Sequence, residues 1–147
     1  MFDVVIVGAG PAGMNAGLVL GRVRRQVLLA DAGAPRNSSS RSMHGMLSRD
    51  GADPAEVRRV ARAELGGYPS VQVRDVAVVS AAPSGEGFEV TLADGTTALA
   101  RRLLLATGVT DELPPVEGLA KAAGAGRNGR RAWRPRRGRH RPGATVR

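Results

Sequence analysis

The chain has 147 residues and a formal net charge of +9, room for one domain of ordinary size and too few for a two-domain build. It contains no cysteine, which excludes a disulfide framework, a thiolate zinc site, an iron–sulfur cluster and a Cys-x-x-Cys pair, so any redox chemistry has to come from a bound cofactor. The charge is divided sharply: residues 1–120 sum to −1 and residues 121–147 to +10.

Met1-Phe2-Asp3 lacks a basic leader, and the apolar run that follows is cut at Gly8. That pattern predicts a soluble cytoplasmic protein without a membrane span. Asp3 to Val7 reads as a buried parallel strand. Pro11 to about Arg24 reads as a helix with Pro11 in its first turn. Gly13, Gly17 and Gly21 share one face of that helix, each costing about 1 kcal/mol relative to alanine, which predicts close backbone packing against a sheet. Gln26 to Ala30 is a second apolar strand, closed by Asp31.

Ala32 to Gly51 carries no periodicity and reads as a long loop of the functional kind. Asp53-Pro54 then has the form of an N-cap and a first-turn proline, and Val57, Val60, Ala61 and Leu65 continue as a helical stripe to Gly66-Gly67. Val71 to Val73 is a short strand. Val76 to Ala81, Phe88 to Leu92 and Thr97 to Ala100, joined by turns at Ser84–Gly87 and Asp94-Gly95, read as an antiparallel meander. Leu103 to Ala106 is a further buried strand, ending at Thr107-Gly108.

Gly8-Ala9-Gly10-Pro11-Ala12-Gly13 is a G-x-G-x-x-G that follows a predicted strand and opens a predicted helix, the context in which the pattern carries weight. Gly8 permits the tight turn, Gly10 lets the backbone approach a pyrophosphate, and Gly13 lets the helix pack on the strand. The helix terminus supplies N–H groups and a positive dipole end. Asp31, at the end of the second strand, is placed to accept hydrogen bonds from ribose hydroxyls. A carboxylate there also disfavours a 2′-phosphate, so the site suits FAD or NAD.

Asp3 to Gly13, the meander and Leu104-Leu105-Ala106-Thr107-Gly108 together resemble the FAD domain of flavoproteins with two dinucleotide-binding domains. Leu29-Ala30-Asp31-Ala32-Gly33 with Pro35-Arg36-Asn37, then Met43-His44-Gly45-Met46-Leu47-Ser48-Arg49-Asp50-Gly51, and Asp111-Glu112-Leu113-Pro114 narrow the resemblance to thioredoxin-reductase-like NAD(P)/FAD-dependent oxidoreductases. The resemblance covers residues 2 to about 120. It implies an α/β Rossmann-like FAD-binding domain: a parallel sheet, helices on one face, and an antiparallel meander as crossover on the other. It further implies that Gly8, Gly10, Pro11, Ala12 and Gly13 bind the FAD pyrophosphate and that Asp31 with Ala32 binds the adenosine ribose. Arg36, Asn37 and His44 would lie beside the pyrophosphate, ribityl chain and flavin. Val76 would contact adenine through a strand-edge backbone, and Thr107 and Gly108 would close over the cofactor. No residue of this chain is implied to be catalytic and none to bind a metal.

Relatives of this kind also carry an NAD(P)H domain, commonly with a Cys-x-x-Cys pair, and are usually homodimers. No second G-x-G-x-x-G preceded by an apolar strand, and no cysteine, occurs here. The reading is therefore an incomplete FAD-binding segment over 1–120, inactive by itself, followed by a disordered Arg/Gly/Ala/Pro-rich tail over 121–147. From about Gly124 that tail reads as a frameshift or truncated-gene product. A plain NAD-dependent dehydrogenase domain is an alternative that the meander and Ala106-Thr107-Gly108 oppose. A further alternative is a non-catalytic FAD- or nucleotide-binding module whose basic tail binds nucleic acid; Trp133 is the only aromatic residue in that tail.

Overall fold

The structure is a computed structural model that describes residues 1–38, 40–109, 114–116 and 118. The chain divides into two units, Met1–Glu112 and Leu113–Arg147, and all regular secondary structure among the described residues lies in the first. The tail expected to be disordered and out of frame, residues 121–147, lies outside the described residues.

The elements run β1 (Phe2–Val7), α1 (Pro11–Arg22), β2 (Val27–Ala30), α2 (Pro54–Leu65), β3 (Val71–Arg74), β4 (Val78–Ser84), β5 (Gly87–Leu92) and β6 (Thr97–Leu105). They form one six-stranded sheet in the order β3-β2-β1-β6-β5-β4. Adjacent residues of a strand point to opposite faces, and both Val5 and Ile6 of β1 are wholly buried, as are Leu28 and Leu29 of β2. Both faces of the central strands are therefore covered, each such side chain contributing about 2 kcal/mol of apolar burial. On one face Ile6, Val27, Leu29 and Val71 meet Met14 of α1 and Leu65 of α2. On the other, Val5, Leu28 and Ala30 meet Val90, Leu92, Ala98 and Ala100 of β5 and β6. Helices on one face and the meander over the other is the layering the sequence predicts.

Two strands expected between Thr97 and Ala106 are one. The first residues of β6 pair antiparallel with β5, Thr97 opposite Thr91 and Ala100 opposite Phe88. From Ala100 to Leu105 the same strand runs parallel to β1. Arg101 and Arg102 do not interrupt it, because both side chains are exposed. The meander is thus a continuation of the parallel sheet along a shared strand. The strand expected at Val76 to Ala81 begins instead at Val78 and runs to Ser84, and it is an edge strand in which Pro83 is tolerated.

Helix α1 stops at Arg22, two residues short of the expected end. Arg24 adopts φ 57°, its N–H donates to the Gly21 carbonyl at 2.9 Å, and the Arg25 N–H donates to the Leu20 carbonyl at 3.0 Å. This is a Schellman closure with arginine in the left-handed position usually held by glycine, so the usual stop signal is absent from the sequence. Beyond its first member the glycine stripe of α1 packs on the expected sheet at Val71, the first residue of β3, and on the end of α2 as well. A Cβ on Gly17 would meet Leu65 at 3.5 Å, and one on Gly21 would meet Val71 at 2.8 Å and Tyr68 at 3.1 Å. The stripe makes room for the end of α2 and the turn into β3.

Candidate functional site

The carboxyl ends of β1 and β6 meet at the loop that leads into α1. The Ala106 N–H donates to the Val7 carbonyl at 2.8 Å, and the Gly8 N–H donates to the Ala30 carbonyl at 2.7 Å. Gly8 has φ +102°, a conformation L side chains rarely adopt, and a Cβ there would lie 2.5 Å from the Ala106 carbonyl oxygen. A Cβ on Gly13 would collide with the Gly8 carbonyl oxygen. Neither glycine can be replaced without moving backbone. Gly10 differs: its φ of −72° is ordinary, and a Cβ would meet nothing within 4 Å.

Gly10 is the N-cap of α1 and offers no side chain to the helix, Pro11 carries no N–H, and no acidic residue occupies the first turn. The N–H groups of Ala12 and Gly13 thus stand at a positive helix end with no capping side chain. Pro11 and Ala12 are exposed, and Ala106-Thr107-Gly108 runs alongside, with the Thr107 Cα 3.3 Å from the position of a Gly8 Cβ. An open space lined by donors, beside a glycine that the protein's own packing does not require, fits a pyrophosphate.

Asp31 follows β2 directly. Its Oδ1 accepts from the Ala9 N–H at 3.1 Å, and its Oδ2 accepts from Arg62 of α2 at 3.2 Å. The carboxylate expected to serve a ribose is already tied to the glycine loop and to a guanidinium. Each oxygen keeps a further lone pair, and the side chain is 21% exposed. Ala32 beside it is exposed.

Among the described residues of the loop from Ala32 to Gly51 there is no helix or strand, as expected, and the loop is pinched shut by the Met43 N–H donating to the Ala52 carbonyl at 2.9 Å and the Gly51 N–H donating to Met43 at 2.7 Å. Asn37 is partly buried and its side-chain oxygen accepts from Arg58 of α2 at 2.8 Å. Arg36 is exposed. His44 is exposed too, its Nδ1 3.4 Å from Asp50 and its Nε2 3.3 Å from the Ser42 hydroxyl. The Gly45 N–H, and secondarily His44, hold the Asp50 carboxyl below its ordinary range. Val76 is corrected in place: it sits in the linker between β3 and β4 with its side chain against the meander-side core, so its backbone is not a strand edge.

Sequence reasoning missed Arg58, Arg62 and Asp75. Arg62 also donates to Asp75 at 2.6 Å, which pushes the Arg62 guanidinium up and holds the Asp75 carboxyl down. Pairings across 21 and 31 residues leave no periodic signal that could have found them. A cleft of about 620 Å³ is lined by Met1, Asp3, Arg25, Phe88 and Arg101 at the amino ends of the parallel strands. Ligands of open α/β sheets bind at the carboxyl ends, where the glycine loop lies. Among the described residues no cluster of three or more His, Cys, Asp or Glu could hold a metal ion, and no helix is long and apolar enough to cross a membrane.

The family model described as pyridine nucleotide-disulphide oxidoreductase matches residues 2–140. The chain belongs to that family. Aspergillus oryzae thioredoxin reductase aclD is 43% identical over 124 residues, 82% of this chain and 39% of that protein. A Gibberella zeae thioredoxin reductase is 38% identical over 133 residues, again 82% of this chain and 39% of its own length. The crystal structure of an oxidoreductase from Agrobacterium tumefaciens superposes with a TM-score of 0.76 at 42% identity, covering 82% of this chain and 41% of that one. The chain is thioredoxin-reductase-like and corresponds to the FAD-binding portion of such flavoproteins, a family that uses FAD with NAD(P)H. It spans about a third to two fifths of the length of the curated thioredoxin reductases it matches.

Proposed function

We propose that this chain holds the FAD of an NAD(P)H-dependent, thioredoxin-reductase-like oxidoreductase, and that residues 1–120 form the FAD-binding segment, with residues 121–147 apart from it. The observation that carries the reading is Gly10, where a Cβ would meet no atom of the described residues within 4 Å, beside the uncapped N-terminus of α1.

On this reading Gly8 and Gly13 shape the loop. Gly10, Pro11 and Ala12 border the pyrophosphate, with the N–H groups of Ala12 and Gly13 as donors. Asp31, with Ala32, binds the adenosine ribose through the lone pairs that Ala9 and Arg62 leave open. Arg36, Asn37 and His44 border the ribityl and flavin end, Val76 lies beside the adenine, and Thr107 and Gly108 cover the cofactor. Bound flavin would supply hydride acceptance from a nicotinamide and onward electron delivery to a disulfide or another acceptor. This chain's residues bind, orient and shield. None is assigned a catalytic role, and none a metal. A cytoplasmic location is part of this proposal, and a homodimer is added to it on the resemblance.

The test is the absorption spectrum of the purified chain after incubation with FAD and desalting. Retained flavin bands near one equivalent are expected. A colourless protein that folds by circular dichroism overturns the reading, and retention of NAD in place of FAD would favour a plain dehydrogenase domain.

A further inference from the structure

Arg62 stands where three segments meet. Its Nη2 donates to Asp31 at 3.2 Å and to Asp75 at 2.6 Å, while Asp31 receives the Ala9 N–H of the glycine loop at 3.1 Å. One guanidinium thus joins the end of β2 to the linker between β3 and β4, and reaches the loop before α1 only through Asp31. The Asp31 N–H also donates to the Arg74 carbonyl at 3.0 Å, so the two strand ends are tied through backbone as well. Exposure rises outward along the trio: 21% for Asp31, 32% for Arg62 and 70% for Asp75. Its members sum to one negative charge.

We propose that Arg62 is the positioning residue of the adenosine end of the cofactor site and that Asp75 is a specificity determinant, keeping the guanidinium engaged so that no cation is available to a phosphate on the ribose 2′-hydroxyl. The inference rests on the FAD reading above. A ribose hydroxyl bonded to Asp31 comes within a few ångströms of Nη2, because Nη2 itself is 3.2 Å from that carboxylate. An arginine beside a ribose ordinarily accommodates a 2′-phosphate. Here two carboxylates share that arginine, and a third anion would meet the trio's residual negative charge. An exposed ion pair adds little to stability, so Asp75 on the outer side is explained poorly by folding and well by charge selection.

The test titrates the full chain with FAD, ADP and 2′-phosphorylated ADP by calorimetry at low ionic strength. Arg62→Met keeps the apolar stem and is expected to weaken FAD and ADP by the same factor, about tenfold, through loss of a charge-assisted bond that fixes Asp31. Arg62→Lys is expected to recover part of that loss, a rescue that mere packing would not give. Asp75→Asn is expected to leave ADP within about twofold and to strengthen the 2′-phosphorylated probe about fivefold, an advantage that fades as salt is added.

An unchanged ratio of the two ADP probes in Asp75→Asn overturns the specificity claim. Unaltered ADP affinity in a folded Arg62→Met overturns the positioning claim, as does a wild-type chain that binds FAD but not ADP. Should Arg62→Met fail to fold, Arg62→Lys and Asp75→Asn carry the test. A wild-type chain that binds neither FAD nor ADP brings down the FAD reading and this inference together. One that binds FAD while every variant behaves as wild type brings down the inference alone.

Discussion

The two helices have the same length, 12 residues, and both open on proline, yet their N-termini are finished in opposite ways. In α2 the Asp53 carboxylate accepts from the N–H groups of Ala55 at 2.7 Å and Glu56 at 3.3 Å, and Glu56 adds an acid to the first turn. In α1 the cap is Gly10, with no side-chain acceptor and no acid. A helix terminus that serves only the fold satisfies its own donors. One that leaves them unsatisfied beside a bare glycine keeps them for something else, and the cost in local stability is the mark of the site.

Three substitutions sharpen or break that contrast. The largest effect is expected at Gly13, where alanine would drive a Cβ into the Gly8 carbonyl. Gly13→Ala should lower the unfolding free energy by about 3 kcal/mol in urea denaturation and abolish flavin retention with it. Stability unchanged within error would mean that the loop is slack and that its close approach to α1 is not structural.

Gly10→Ala should divide stability from binding. The β-region backbone accepts alanine, and the gain from restricting the unfolded chain offsets the poorer cap, so stability should stay within about 0.5 kcal/mol. FAD affinity should fall at least about tenfold, a loss of about 1.4 kcal/mol. Undiminished affinity would remove Gly10 from the site.

Asp53→Ala is the mirror experiment and the smallest effect: about 1 kcal/mol of stability lost with the cap, and flavin retention per folded molecule untouched. A drop in FAD affinity as large as that of Gly10→Ala would show that the two termini are not separate in function.

Much of this architecture was legible in the residues. Pro11, Asp53-Pro54 and Gly66-Gly67 mark helix ends by chemistry that acts within one turn, and the apolar runs at Val4–Val7 and Val27–Ala30 are too long and too continuous to be exposed on either face. What stayed hidden depends on chain segments far apart in sequence. The polar pair Arg101-Arg102 suggested a break, because nothing local shows that one strand serves two neighbours of opposite direction. Arg24 gave no sign of a helix stop, since arginine pays a steric penalty there that surrounding structure overrules. Of the candidate site, the glycine loop and Asp31 were visible as a pattern. The hold that Arg62 and Asp75 have on Asp31, and that Arg58 has on Asn37, was not.

The double life of β6 bears on how the chain reaches this state. Phe2 lies opposite Ala100, and Val7 opposite Leu105, so the first strand made is completed on one side only by the last. The intervening segments can pair or coil among themselves beforehand: β4 with β5 across a two-residue turn, β2 with β3 around α2. Closing so long a loop costs chain entropy before any contact offsets it, so the β1–β6 register is expected to form after the local pairings. During synthesis β1 therefore leaves the ribosome with one edge unpaired and keeps it so until nearly the whole of the first unit has followed.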